Sequence, residues 1–135
     1  MAVFRTGRGL ARHLRKALDA LQAETLITVQ SELGSERISP KDTGRFRSSW
    51  FAAEGTASTA TAPEGADAPN EDAKSLRVDS KKTYWLSNNL PYAQSVAIEG
   101  RVVSKAPTWF KDFRSQRIPR IQAEAAKQVK QEFDL

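Results

Sequence analysis

Residues 83–100, TYWLSNNLPYAQSVAIEG, decide how this chain is read. They form its longest run with bulky apolar residues, a tight turn and no dense charge. Residues 83–86 carry the β-branched and aromatic side chains that fit a half-buried pleated surface, so they read as a strand. Ser87, Asn88 and Asn89 follow with side chains that bond their own backbone and tolerate left-handed conformations. Pro91 fixes its own φ and holds Leu90 extended. Past that break Tyr92, Val96 and Gly100 fall four apart, and glycine is a natural helix stop. The stretch predicts strand, turn and short helix, with the rest of the chain packed against it.

Upstream, residues 55–75 (GTASTATAPEGADAPNEDAKS) show no periodicity and bury too little apolar area to offset their ordering entropy. They predict a long mobile loop inserted between strands. Leu76-Arg77-Val78 restarts an extended pattern, expected to pair antiparallel with the strand at Thr83 or one at Trp50. Before the loop stands SERISPKDTGRFRSSW, residues 35–50. Pro40 breaks the chain, and Asp42 or Thr43 is placed to cap a short helix starting at Gly44. Phe46 and Trp50 share a face of it, with Arg45 and Arg47 lying elsewhere. Residues 50–53 read as a strand.

The N-terminus, residues 1–8, reads as a flexible arm because glycines at 7 and 9 disfavour an early helix. From Leu10 an apolar stripe runs through Leu14, Leu18, Leu21, Leu26 and Val29 to Leu33, the spacing of a helical face, and Gly34 closes it. A helix of roughly 24 residues is about 36 Å long, oversized for so small a domain. Either one end projects or it packs against a neighbouring subunit; a coiled-coil dimer is the other arrangement such a stripe allows. Downstream, residues 101–104 read as strand or loop, and Trp109, Phe110 and Phe113 form an aromatic helical face. Pro119 either starts a fresh helix or kinks a continuous one. Ile118, Ile121, Ala125, Val129 and Phe133 make the last stripe.

The fold class expected is α+β: a long N-terminal helix, a small antiparallel sheet with a long inserted loop, a short helix and a C-terminal helix. At 135 residues, residues 1–135 read as a single domain. No apolar run is long enough to span a membrane, and no secretion signal is expected. With no cysteine and one histidine, disulfides are excluded and no metal site is expected. The net charge of +5 is unevenly spread. Residues 1–16 hold five bases (Arg5, Arg8, Arg12, Arg15, Lys16) and no acid, and residues 56–75 hold four acids and one base. From Arg77 onward there are eleven bases and six acids. Basic ends around an acidic middle suit contact with an anionic polymer or charge-complementary subunit contacts.

Catalytic chemistry finds no residues to carry it. His13 stands among Arg12, Arg15 and Lys16 and reads as a solvated helix residue. No serine sits in a nucleophile elbow, and no glycine-rich loop is built to hold phosphate. The paired acids Glu71/Asp72 and Glu132/Asp134 fall in a loop and at a chain end, not across a cleft. No enzyme and no cofactor are expected. Nucleic-acid binding has the basic arm and Lys111, Arg114, Arg117 and Arg120 beside the aromatics of residues 109–113, although those aromatics fall on one face as a core stripe does.

The block PKDTGRFRSSW, residues 40–50, resembles the P-x-D-T-G-x-L-x-x-S signature of a phage tail and neck protein family. That family takes in head–tail joining, tail-completion and tail-terminator proteins of long-tailed phages, including minor tail protein Z-like relatives. The block SNNLPYAQSVAIEG is similar to the N-x-P-Y-A-x-x-L-E-Y-G element that follows about 40 residues later in it. The Ala106-Pro107-Thr108-Trp109-Phe110 opening of the C-terminal helix also resembles that family's, and the likeness spans roughly residues 35–130. Where the family has Glu-Tyr-Gly, this chain has Ala97-Ile98-Glu99-Gly100. The resemblance implies a ring-forming subunit, commonly sixfold, in the virion neck or tail, assembled in the host cytoplasm and free of membrane. Its partners would be copies of itself, the tail tube protein, head-completion and connector proteins, and double-stranded DNA passing through the lumen. Pro40, Asp42, Thr43, Gly44, Arg45 and Phe46 are expected to hold the docking turn, with Trp50, Asn89, Pro91, Tyr92, Ala93 and Gly100 around it. Arg5, Arg8, Arg12, Arg15 and Lys16 would make subunit or DNA contacts. The alternative from another class is a small nucleic-acid-binding protein of a mobile element, without sequence preference.

Overall fold

The computed structural model describes residues 5–40, 44–101 and 105–135. Helix α1, Gly7–Leu33, runs for 27 residues, about 40 Å. It begins at Gly7 and not Leu10, so Gly7 and Arg8, assigned above to a flexible arm, are helical. Thr6 explains the early start. Its backbone is extended and its hydroxyl accepts the Gly9 N–H at 3.1 Å, an N-cap worth about 1 kcal/mol that offsets part of the cost of two glycines. Gly34 ends the helix as expected, its N–H bonded to the Gln30 carbonyl.

Helix α2 (Gly44–Ser48) leads directly into strand β1 (Trp50–Glu54). Strand β2 (Tyr84–Asn88) pairs antiparallel with it, Trp50 opposite Asn88 and Glu54 opposite Tyr84. These two strands form a two-stranded sheet. No strand forms at Leu76–Val78, a correction to the sequence reading. The Tyr84 hydroxyl donates to the Arg77 carbonyl at 3.2 Å and accepts the Asp79 N–H at 2.8 Å. It thereby takes a carbonyl of that segment and the N–H just past it, while Leu76 and Val78 pack against Leu26, Ala52 and Ala73.

The stretch read as a mobile loop has no strand or α-helix, only a 3-10 turn at Asp72–Ser75. It is nonetheless bonded to its own chain. The Ala62 N–H donates to Ser49 Oγ at 3.0 Å, Arg45 Nε to the Ala62 carbonyl at 2.8 Å, and Arg47 pairs with Asp67 at 2.6 Å. Polar bonds rather than apolar burial hold it, which is why its composition does not betray the docking.

Helix α3 (Ala93–Ala97) follows the Pro91 turn. Near the C-terminus, α4 (Trp109–Asp112), a π turn (Phe113–Arg117) and α5 (Ile118–Glu132) run on from one another. Pro119 has no N–H to give the preceding turn, and the wider register absorbs this: the Ile118 N–H reaches back to the Phe113 carbonyl. The main core joins Leu33, Phe46, Trp50, Leu90, Trp109 and Ile121. Helix α5 lies along α1, and Arg117, the last residue of the π turn before it, bonds both Glu32 oxygens at 2.7 and 2.8 Å.

Candidate functional site

Phe46 is where the two sequence blocks meet. Its ring is 1% exposed and meets Trp50 edge-on at 5.9 Å, Trp109 edge-on at 6.0 Å and Tyr92 at 6.5 Å between centroids. Edge-to-face contact at these separations sets the positive ring edge against the negative face. Asn88 Nδ2 donates to the Phe46 carbonyl at 2.9 Å, and Trp109 Nε1 to the Val96 carbonyl at 3.0 Å. Ring packing and hydrogen bonds thus join α2, β2, α3 and α4 at one point.

The other residues singled out from the sequence divide by position. Pro40 is buried, Tyr92 and Ala93 are half-buried against the core, and Pro91 is exposed. Asn89 is exposed and donates to the Thr59 carbonyl at 3.1 Å, so it holds the long connection and not the block junction. Asp42 and Thr43 lie outside the described residues. Gly44 is fixed by space, since a Cβ there would stand 2.6 Å from Asp67 Cα. Gly100 has φ +68, and a Cβ there would meet Pro107 Cα at 2.8 Å. Gly100→Ala should therefore cost at least the ~1–2 kcal/mol of a left-handed non-glycine residue, with the clash added. A denaturant midpoint unchanged in this variant would refute the close approach of Pro107.

Arg47 was missed. Placed off the Phe46 face by helical spacing, it is buried instead, with Nη2 2.6 Å from Asp67 and 3.4 Å from Glu36. One guanidinium thus ties the acidic connection to the C-terminal end of α1. His13 corrects the sequence reading too. Its Nε2 donates to the Phe133 carbonyl at 2.6 Å and its ring lies edge-on to Phe133 at 5.4 Å, so it docks α1 on the end of α5.

The first half of α1 is different in kind. Arg5, Arg8, Arg12, Arg15 and Lys16 are all exposed. Between these cations the predicted apolar stripe stays open: Leu10 is 41%, Leu14 41% and Leu18 54% exposed. From Leu14 to Val29 the stripe forms the floor of a groove of about 1360 Å³, walled by Tyr84 and Leu86 of β2 on one side and Ala123 and Ala126 of α5 on the other. Asp19 anchors the rim. It accepts the Ser80 N–H at 2.7 Å, and that bond holds its carboxyl below the usual range. Lys82, 2.9 Å from Glu54, is held above the ordinary lysine value by that hydrogen bond and charge.

Among the described residues no cluster of three histidine or acidic side chains is arranged to hold a metal. No described helix is long and apolar enough to cross a membrane. Comparison of the chain with protein-family models, curated proteins and solved structures finds no match. What the site offers chemically is a rigid aromatic junction and an apolar groove edged with positive charge, a surface suited to binding.

Proposed function

We propose that this chain is a structural virion protein of the phage neck or tail. It would form a ring, commonly sixfold, at the head–tail interface, completing or terminating the tail and leaving a channel for DNA. The observation that carries this reading is the meeting of the two family-like blocks. The described part of the first block, residues 44–50, and residues 87–100, far apart in sequence, adjoin through Phe46, Trp50, Tyr92 and Asn88. A shared signature on residues that build one junction is what a common subunit fold requires. The partners proposed are further copies of the chain, the tail tube protein and the head-completion or connector proteins. The place is the virion, after assembly in the host cytoplasm, and no catalysis is assigned. Mass measurement of the purified chain and imaging of the particle with the chain labelled test this. A closed ring at the neck is expected; absence of the chain from particles overturns the reading.

A second reading, a small nucleic-acid-binding protein of a mobile element, is favoured by the exposed cations on the first half of α1. Trp109 and Phe113, however, are core residues and not a stacking platform. Under that reading a monomer or dimer would bind DNA with an affinity falling steeply as salt rises.

A further inference from the structure

We propose that the free edge of β2 receives an extended segment of another protein, added as a third strand over the open leucines of α1. The inference goes beyond the neck reading and does not depend on it.

The ladder shows which backbone groups are left over. The Gly55 N–H donates to the Thr83 carbonyl at 2.8 Å. In an antiparallel pair, residues that exchange hydrogen bonds alternate with residues that do not. From this register Trp85 and Ser87 bond to β1, while Tyr84 and Leu86 turn their N–H and C=O away from it. On β1 the outward groups find partners within the chain. The Ala52 N–H donates to Asp72 at 3.0 Å, and the Trp50 carbonyl accepts Gln30 Nε2 at 3.1 Å. On β2 they do not: among the described residues no hydrogen bond takes the backbone groups of Tyr84 or Leu86. Such an edge is a template for another strand unless charge, proline or a bulge blunts it. The β2 sequence YWLSN has no charge and no proline, and its register runs unbroken.

The edge opens on the groove. Strand β1 occupies one side of β2, and Tyr84 and Leu86 wall the groove opposite Ala123 and Ala126 of α5. A strand added about 4.8 Å beyond β2 would lie in that space, with side chains alternating between its two faces. One set would meet Leu14 and Leu18, which are 41% and 54% exposed, and the other would face outward. Main-chain bonds then supply affinity and the apolar floor supplies selection, as in other cases of strand addition. The ligand is a short extended peptide with apolar side chains at every second position. Strand β2 of a second copy does not qualify. One of its faces packs on its own α1. The other is crossed by residues 55–59, where the Gly55, Ser58 and Thr59 carbonyls accept from Trp85, Ser87 and Asn89. It has no bare face to set on the leucines, and the outer edge of β1 is already bonded to Gln30 and Asp72.

The probe is the end-blocked heptapeptide Thr-Val-Thr-Val-Thr-Val-Thr, added to the full-length chain. Amide exchange should be fast at Tyr84 and Leu86 in the free chain and slow once peptide is present, with Trp85 and Ser87 slow throughout. N-methylation of one alternate set of peptide amides should weaken binding about 10-fold or more, as loss of two main-chain hydrogen bonds implies. N-methylation of the other set should weaken it far less. Leu18→Glu should also weaken binding, with the unfolding temperature nearly unchanged because the side chain is on the surface. Binding indifferent to N-methylation overturns strand addition. Slow exchange at Tyr84 and Leu86 in the free monomer means a closed edge and overturns the inference, as does absence of binding at millimolar peptide. Protection that grows with protein concentration in the peptide-free chain gives the groove to a second copy and overturns the assignment to another protein. None of these outcomes bears on the neck reading, which the mass and imaging measurements decide separately.

Discussion

Phe46→Ala is expected to destabilise the chain by about 3–5 kcal/mol, the range for truncating a buried aromatic ring. Domains of this kind hold only about 5–15 kcal/mol in total, so the variant should be partly unfolded at physiological temperature. The cost exceeds that of an ordinary apolar truncation for a structural reason. The ring is 1% exposed and touches three other aromatic rings from different elements. Collapse around the cavity would have to move α2, β1 and α4 together, and each is fixed elsewhere by backbone bonding. Because Trp50 and Trp109 both lean on this ring, the near-ultraviolet circular dichroism band should shrink before helical signal is lost. Phe46→Leu, which keeps apolar volume, should recover most of the stability. If Phe46→Ala unfolds at the same denaturant concentration as the parent, the junction is not the centre of the core.

The α+β architecture was legible wherever apolar spacing or a breaker residue carried it. The stripe of α1, the strand at Trp50 and the Pro91 break are places where a side chain's burial or a backbone restriction is local; helix α3 ends at Ala97, short of the stop expected at Gly100. The unread parts depend on polar partners distant in sequence. Arg47 meets Asp67 and Gly34, His13 meets Phe133, and Tyr84 reaches Arg77 and Asp79. No periodicity announces such pairs, since a hydrogen bond needs one matched group and not a repeating face. The groove was half legible. The stripe from Leu10 to Leu33 announced a buried face, but sequence alone could not say that only Leu26, Val29 and Leu33 would be covered by the chain's own elements. The oversized helix was the signal, and the exposed leucines are its physical meaning.

Gln30→Leu is the second substitution expected to act strongly, although it removes no apolar contact and nearly conserves volume. Gln30 sits on α1 with 1% of its surface exposed. Its amide nitrogen donates to the Trp50 carbonyl at 3.1 Å and to the Asp72 carboxylate, and its amide oxygen accepts the Ala73 N–H at 2.9 Å. One side chain thereby bonds α1 to β1 and to the 3-10 turn that ends the long connection. Leucine would leave the Ala73 N–H without its acceptor and withdraw a donor from the Trp50 carbonyl and from Asp72. Each buried group left unsatisfied costs about 1–3 kcal/mol, so a total near 3–5 kcal/mol is expected. The long connection should loosen first, read as faster amide exchange at Ala73 and Ala52, whose N–H is itself bonded to Asp72. Gln30→Glu separates hydrogen bonding from shape. It sets a second carboxylate against Asp72, where like charges disfavour ionisation of the introduced group. A carboxyl whose folded-state pKa is raised binds its proton more tightly in the folded chain than in the unfolded one. Stability should therefore be lowest at neutral pH and partly return as pH falls through that raised value, a recovery Gln30→Leu cannot show. Equal pH profiles for the two variants would mean that Gln30 acts by filling space, and that the polar bridge between helix and sheet is dispensable.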